Sequence, residues 1–229
     1  MIVASTPILV LRLDGVLQSW GEHSKWDYRD SASMPTKSGI IGLLGCAIGL
    51  EWNDSQLYEL AQQLKIAIRA DKAGVELSDF HTVRSRHLLN AKGKLRGNIG
   101  EYSTLVTNRI YLQDAFFTVA ITGEYGLLKK LAGALQHPKW AIYLGRKSCV
   151  PSRPVYDGIT AEYSDLQEAI TELEWYGDGQ DHCLIEIEDL DCDGVQIERQ
   201  DVTAGERRFH SRVVTRKTIE RRLREDVPQ

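Results

Sequence analysis

No run of about 18 or more apolar residues occurs in this chain, so its sequence predicts no membrane-spanning helix. The stretch from Met1 to Asp14 lacks a basic region followed by a long apolar segment and a small-residue cleavage site, and no secretory signal is expected there. Cysteine is scarce. Cys46, Cys149, Cys183 and Cys192 are widely spaced and form no CxxC pair, which argues against a disulfide framework and a zinc site and fits a reducing cytoplasm. The GxxxxGK[ST] phosphate loop is missing, so ATP is not an expected ligand. With no nucleophile triad, metal cluster or cofactor loop in view, a metabolic enzyme ranks last and no cofactor is expected. Internal repeats and low-complexity tracts are also wanting.

What is present is an ordinary globular composition. The 229 residues are 42% apolar and 26% charged, enough for one large domain or two small fused ones. The net charge of −4 argues against nucleic acid, but its distribution does not. From Tyr125 to Tyr156 there is no acid, whereas Lys129, Lys130, Lys139, Arg146, Lys147 and Arg153 are basic. Arg84, Arg86, Lys92, Lys94, Arg96 and Arg109 form a second basic group, with only Glu101 and Asp114 near it. From Glu162 to Asp201 acids dominate and Arg199 is the only Lys or Arg. This asymmetry predicts two surfaces of opposite sign, the basic one suited to RNA. Solvated helix and strand faces are the plainer alternative for any single basic run.

Alternation predicts a first strand over residues 8–14 and a polar, aromatic loop over 15–34. Pro35 and Thr36 open a helix with Thr36 or Ser38 as N-cap and a body over 39–49. Gly39, Gly42, Gly45 and Gly49 line one face of it, for close approach of its own sheet or of a nucleic acid backbone. A short helix capped by Asp54 runs through Leu64, and strands follow over 65–69 and 79–83. Residues 84–108, which contain Gly93, Gly97 and Gly100, read as a protruding basic hairpin or mobile loop. A long strand over 109–121 and a helix over 127–135 complete an α+β, ferredoxin-like or RRM-like order. This gives an RRM-like domain over 1–150. Beyond it, 151–229 read as a small β-rich C-terminal lobe, with strands over 184–190, 196–202 and 207–215 and a charged tail over 216–229 that frays or forms a short helix.

Five segments in order carry a family resemblance: Leu17-Gln-Ser-Trp-Gly21, Pro35-Thr-Lys-Ser-Gly-Ile-Ile-Gly-Leu-Leu-Gly45, Asp79-Phe-His-Thr-Val83, Arg109-Ile-Tyr-Leu-Gln-Asp-Ala-Phe-Phe-Thr-Val-Ala120 and Tyr143-Leu-Gly-Arg-Lys-Ser-Cys149. Together the chain resembles the CasD family, the Cascade subunit that caps the guide-RNA 5′ end in type I CRISPR systems and a relative of the RAMP-type RRM proteins; the type I-E branch is the most similar. The resemblance implies a non-catalytic, cytoplasmic subunit that binds the 5′ handle of the crRNA. It also implies contact with a CasC-type backbone subunit and a CasA-type large subunit, an indirect relation to target DNA, and a thumb-like hairpin near 84–108.

An unpaired RNA end needs its phosphates neutralised, its bases stacked and their edges hydrogen-bonded. Tyr143, Gly145, Arg146 and Lys147 bring a ring, a close-approach position and two cations into one short window. A core tyrosine is the plainer role for Tyr143. By resemblance Arg109 meets the handle; a strand-edge salt bridge with Asp114 is its alternative. Lys37 and Ser38 start the glycine-rich helix, where first-turn amides make an anion site. Gln18 is a candidate for a base edge, Trp20 an anchor for its loop, and Arg84 and Arg86 are candidates on the hairpin. The runner-up is a metal-independent endoribonuclease of the type I-C kind, with His81, His87, Lys92, Lys94 and Tyr102 as acid–base candidates and no compact cluster among them.

Overall fold

A computed structural model describes residues 6–25, 27–90, 92–96, 100–176, 181–189, 191–203 and 209–220. Nine strands form one sheet: β1 (Ile8–Gln18), β2 (Tyr28–Arg29), β3 (Lys65–Lys72), β4 (Val75–Ser85), β5 (Ser103–Thr122), β6 (Tyr156–Thr160), β7 (His182–Ile187), β8 (Val195–Thr203) and β9 (Phe209–Glu220). Among the described residues four helices pack on it: α1 (Lys37–Ile48), α2 (Gln56–Gln63), α3 (Tyr125–Gln136) and α4 (Leu166–Glu172). The strand order is β6-β1-β5-β3-β7-β9-β8, with β2 and β4 paired to β5 off that path. All pairings are antiparallel except β2 with β5.

The period-2 pattern decides which side chains go to which face. Leu9, Leu11 and Leu13 of β1, Ile66 and Ile68 of β3, and Phe117, Val119 and Ile121 of β5 form the main core with α1, α2 and α3. Their neighbours of the other parity, Ile8, Val10, Ala67 and Ala120, pack with Ile185, Ile187 and α4 on the opposite side. Both faces of the sheet's centre are therefore covered. On the α4 side the burial includes charge. Arg69 donates to the carbonyls of Ile170 (2.7 Å), Leu173 (2.8 Å) and Glu174 (2.8 Å), capping the end of α4 as a cation suits a helix C-terminus. Asp71 accepts from Arg69 and from Thr118 at 2.7 Å, and Arg12 pairs with Asp157 at 2.7 Å. The Tyr176 ring stacks on Phe116 with the Arg12 guanidinium 4.4 Å from its centroid, so the 173–176 segment is pinned over β1, β3 and β5.

The sequence places the larger elements and shortens several. Thr36 is the N-cap of α1 and accepts from the Gly39 amide. Three of the four glycines serve internal packing: a Cβ at Gly39 would sit 2.8 Å from the Trp20 ring, at Gly45 2.5 Å from Leu57 and at Gly49 2.0 Å from Lys139, while Gly42 faces open space. Of the two forms expected for 84–108, hairpin or mobile loop, its base has the paired one: β4 runs to Ser85 and β5 begins at Ser103, in continuous register from Val75↔Gln113 to Ser85↔Ser103. Leu89 and Leu95 bridge farther out; Gly97 lies outside the described residues. The start of the tail is neither frayed nor helical. Residues 216–220 continue β9, with Thr218 and Ile219 paired to Leu184 and Cys183, and 221–229 lie outside the described residues, as do 190 and 207–208 of the expected strands. Three elements went unread: β2, β6 and α4. Among the described residues no helix is long and apolar enough to cross a membrane.

Candidate nucleic-acid interface

Strand β5 organises the site because it is twice occupied. Its C-terminal half lies between β1 and β3, and its N-terminal half runs out of the main sheet paired with β4. At the junction sits Arg109, level with Asp79 of β4 on one side and Arg29 of β2 on the other. Its Nε donates to Thr107 Oγ1 at 3.2 Å, and no ion pair joins it to Asp114 among the described residues. Tyr111, two residues on, shares its face. The Arg146 guanidinium lies 4.6 Å from the Tyr111 ring centroid, a cation–π contact reaching in from another loop. Arg146 Nη2 also donates to the carbonyls of Arg29 (2.9 Å) and Asp30 (3.1 Å), whereas its Nη1 has no hydrogen-bond partner among the described residues. Arg29, Arg109 and Arg146 thus converge.

The loop that carries Arg146 is tightly built. Leu144 N donates to Cys149 O at 2.7 Å, Cys149 N to Arg146 O at 2.8 Å, and Ser19 N to Leu144 O at 3.1 Å. Gly145 takes φ 88°, and a Cβ there would stand 1.7 Å from Ser19 O, so only glycine fits. Lys147 is exposed and makes no ion pair among the described residues. Tyr143 turns toward α1. Burial pushes its hydroxyl pKa up, and the neighbouring Cys46, a hydrogen-bond partner, adds to the shift. Its ring is half-buried on the α1 side of this loop.

Two candidates prove to be internal. Gln18 is fully buried; its amide donates to Leu13 O (2.9 Å) and Ala115 O (2.8 Å) and its oxygen accepts from Trp20 Nε1 (3.2 Å), which leaves nothing to read a base. Lys37 is buried as well. Its Nζ donates to Leu64 O (2.9 Å) and pairs with Glu188 (2.7 Å), and its amide donates to Asp201 at 2.7 Å. The anion site at the start of α1 is real, but a carboxylate of the same chain fills it. Arg212 completes the cluster, bonded to Asp201 at 2.7 and 2.8 Å and to Glu188 at 2.8 Å.

Ser38 lines a cleft of about 540 Å³ together with Trp20, Arg29, Trp52, Gly145 and Phe209. On the ribbon, Arg84 and Arg86 are exposed and lie 4.8 and 4.6 Å from the centroid of one ring, Tyr102. Of the acid–base candidates, His81 Nδ1 lies 3.8 Å from Asp79, on the face of β4 level with Thr107. Lys92 and Lys94 are in the outer turn, away from it. No group of three or more potential metal ligands occurs among the described residues. Sequence reasoning overlooked Arg29, Tyr111, Trp52 and Phe209. The run Tyr28-Arg-Asp-Ser31 is too short to announce a strand, and Tyr111 gains meaning only through Arg146.

Known proteins share this architecture. The family model described as CRISPR-associated protein (Cas_Cas5) matches residues 8–224. The CRISPR system Cascade subunit CasD of Escherichia coli (strain K12) is 35% identical over 181 residues, 74% of this chain and 78% of that protein. A chain of a CRISPR RNA-guided surveillance complex aligns with a TM-score of 0.69 at 29% identity, covering 93% of this chain and 89% of its own. A crystal structure of a Cas protein aligns at 0.66 and 33% identity, covering 93% and 95%.

Proposed function

The chain belongs to the CRISPR-associated Cas5 family, and from that premise we propose that it is a CasD-type subunit of a Cascade complex, holding the 5′ handle of the crRNA without cutting it. The observation that carries the reading is the convergence of Arg29, Arg109 and Arg146 at the root of the β4–β5 ribbon. Arg109 is the phosphate or guanine-edge contact, since a guanidinium can fork to either. Lys147, Ser38, Arg84 and Arg86 extend the track, with Gly145 and Arg146 shaping its floor. Tyr143, Gln18 and Lys37 support this surface from within.

An RRM-like reading of the fold is supported by the order β6-β1-β5-β3, the arrangement of fourth, first, third and second strands in a ferredoxin-like unit. On it residues 1–150 hold three of those strands, the ribbon near 84–108 is the thumb, and 151–229 give the fourth strand and a small β-rich lobe of β7, β9 and β8. Partners are the crRNA and other Cascade subunits, including CasC-type and CasA-type ones, with target DNA met through the RNA.

The experiment is RNA binding by the purified chain. Repeat RNA incubated in EDTA should be bound and left intact. One clean cut at the handle boundary would instead favour the endoribonuclease reading, with His81 as its first suspect. Arg109→Ala should weaken binding and assembly with guide RNA, and normal assembly of that variant would overturn the site.

A further inference from the structure

Trp52 belongs to none of the segments that carry the family resemblance, yet it is the most exposed aromatic ring lining the large cleft. It stands 64% exposed, and Phe209 in the same cleft is 44% exposed. The turn that carries Trp52 is well fixed. Gly49 closes α1 at φ 81°, with its amide and that of Leu50 on Gly45 O. Asp54 N donates to Glu51 O at 3.0 Å, and the Asp54 carboxylate accepts from Gln56 N at 2.9 Å to start α2. A large ring on a rigid turn between two helices gives up little freedom when something stacks on it.

The lining says what stacks there. The volume is that of a small-ligand site. The Thr36 and Ser38 hydroxyls, 3.3 Å apart, offer donors and acceptors, and Arg29 brings the cleft level with Arg109. Among the described residues the one acid in the lining is Glu22, and it pairs with Arg199 at 2.9 Å, which offsets its charge. Rings on the rim, hydroxyls within and an arginine beside them fit a base and its phosphate better than an apolar peptide side chain.

We propose that Trp52 is the stacking platform for one unstacked base of the bound RNA, seated in this cleft with its phosphate toward Arg29. The inference rests on the RNA-handle reading and names the position at which one nucleotide leaves the strand. The test uses the full chain with a single-stranded oligoadenylate of about ten nucleotides, a length in the range such proteins cover, carrying 2-aminopurine at one position at a time. Wild type should quench one position. Trp52→Ala should abolish that quench at saturation and weaken binding about 5- to 150-fold, the value of one base–aromatic stack, while Trp52→Phe keeps most of both. Arg109→Ala should weaken binding but leave the quench at saturation. RNA binding with the same quench in Trp52→Ala overturns the platform and leaves the handle reading standing. Failure of the wild type to bind RNA overturns both.

Discussion

Arg109 and Arg146 look alike in the sequence and differ in what surrounds them. Arg109 spends one weak hydrogen bond on Thr107, whereas Arg146 stacks on Tyr111 and holds two carbonyls of the β2 turn. Removing Arg146 takes a charged donor from two half-buried carbonyls, a loss of about 1.5–3 kcal/mol. Chemical denaturation should therefore find Arg146→Ala less stable by that amount and Arg109→Ala within about 0.5 kcal/mol of wild type, as for surface changes in general. Equal stability of the two would remove the bracing role. The sequence shows both cations but not this division of labour, because it depends on a contact between residues 111 and 146 that neither segment reveals. Gln18 and Lys37 mislead for the same reason: the strand pattern does not say that Leu13, Ala115, Glu188 and Asp201 will claim their polar atoms first.

At the scale of elements, strong alternation and helix caps were legible. β1, β5, α1 and α3 follow from runs such as Ile8-Leu-Val-Leu-Arg-Leu and from Thr36 placed three residues before Gly39. The Tyr156–Thr160 strand is short and broken by Gly158, and Leu166–Glu172 has seven residues with acids at both ends, so neither gives a periodic signal. Both form because tertiary partners wait for them: Ile8 and Leu9 for β6, and the Arg69 guanidinium for the end of α4. The ribbon of β4 and β5 is the opposite case, a signal open between hairpin and mobile loop because polar residues alternate there on a two-stranded element exposed on both faces. Its Arg84 and Arg86 share Tyr102 and carry no core burden. Replacing both with alanine should reduce the slope of log affinity against log salt by about 1.4, two phosphates at about 0.7 each for single-stranded RNA, with the melting temperature unchanged. An unaltered slope would take the ribbon out of the RNA track.

For the whole molecule, the acidic stretch after Glu162 does not simply become a negative surface. Glu186, Glu188 and Asp201 turn inward and neutralise Arg199, Arg212, Arg216 and Lys37 between the sheet and α1. With Glu22 on Arg199, four acids meet four cations in this cluster, so it leaves the charge balance of the exterior unchanged. Burial alone would raise the Asp201 carboxyl; hydrogen bonds and attraction from Arg212, with the Lys37 amide and Arg199, reverse this and hold it below its ordinary 3.8. A depressed carboxyl stabilises the fold above the unfolded value and loses that contribution as pH falls through the folded one. Glu188 behaves oppositely: burial outweighs Arg212 and Lys37 and raises it above 4.5, so its share improves on acidification in that range. Asp201→Asn should cost about 3–5 kcal/mol at neutral pH, as for breaking a buried pair, and should flatten the acid-unfolding limb below pH 3.8. An acid limb as steep as wild type's would assign that limb to other groups.

The α4 segment, with Trp175 and Tyr176 laid over Arg69 and Arg12, has a consequence for how recognition can change. A sheet sheathed on both sides leaves its margins as the place where a guest strand is met. On the RNA-binding reading proposed above, the turn that carries Trp52 and the ribbon that carries Arg84 can change to suit a different RNA end, while the Gly145 loop and the hydrophobic interior keep their composition.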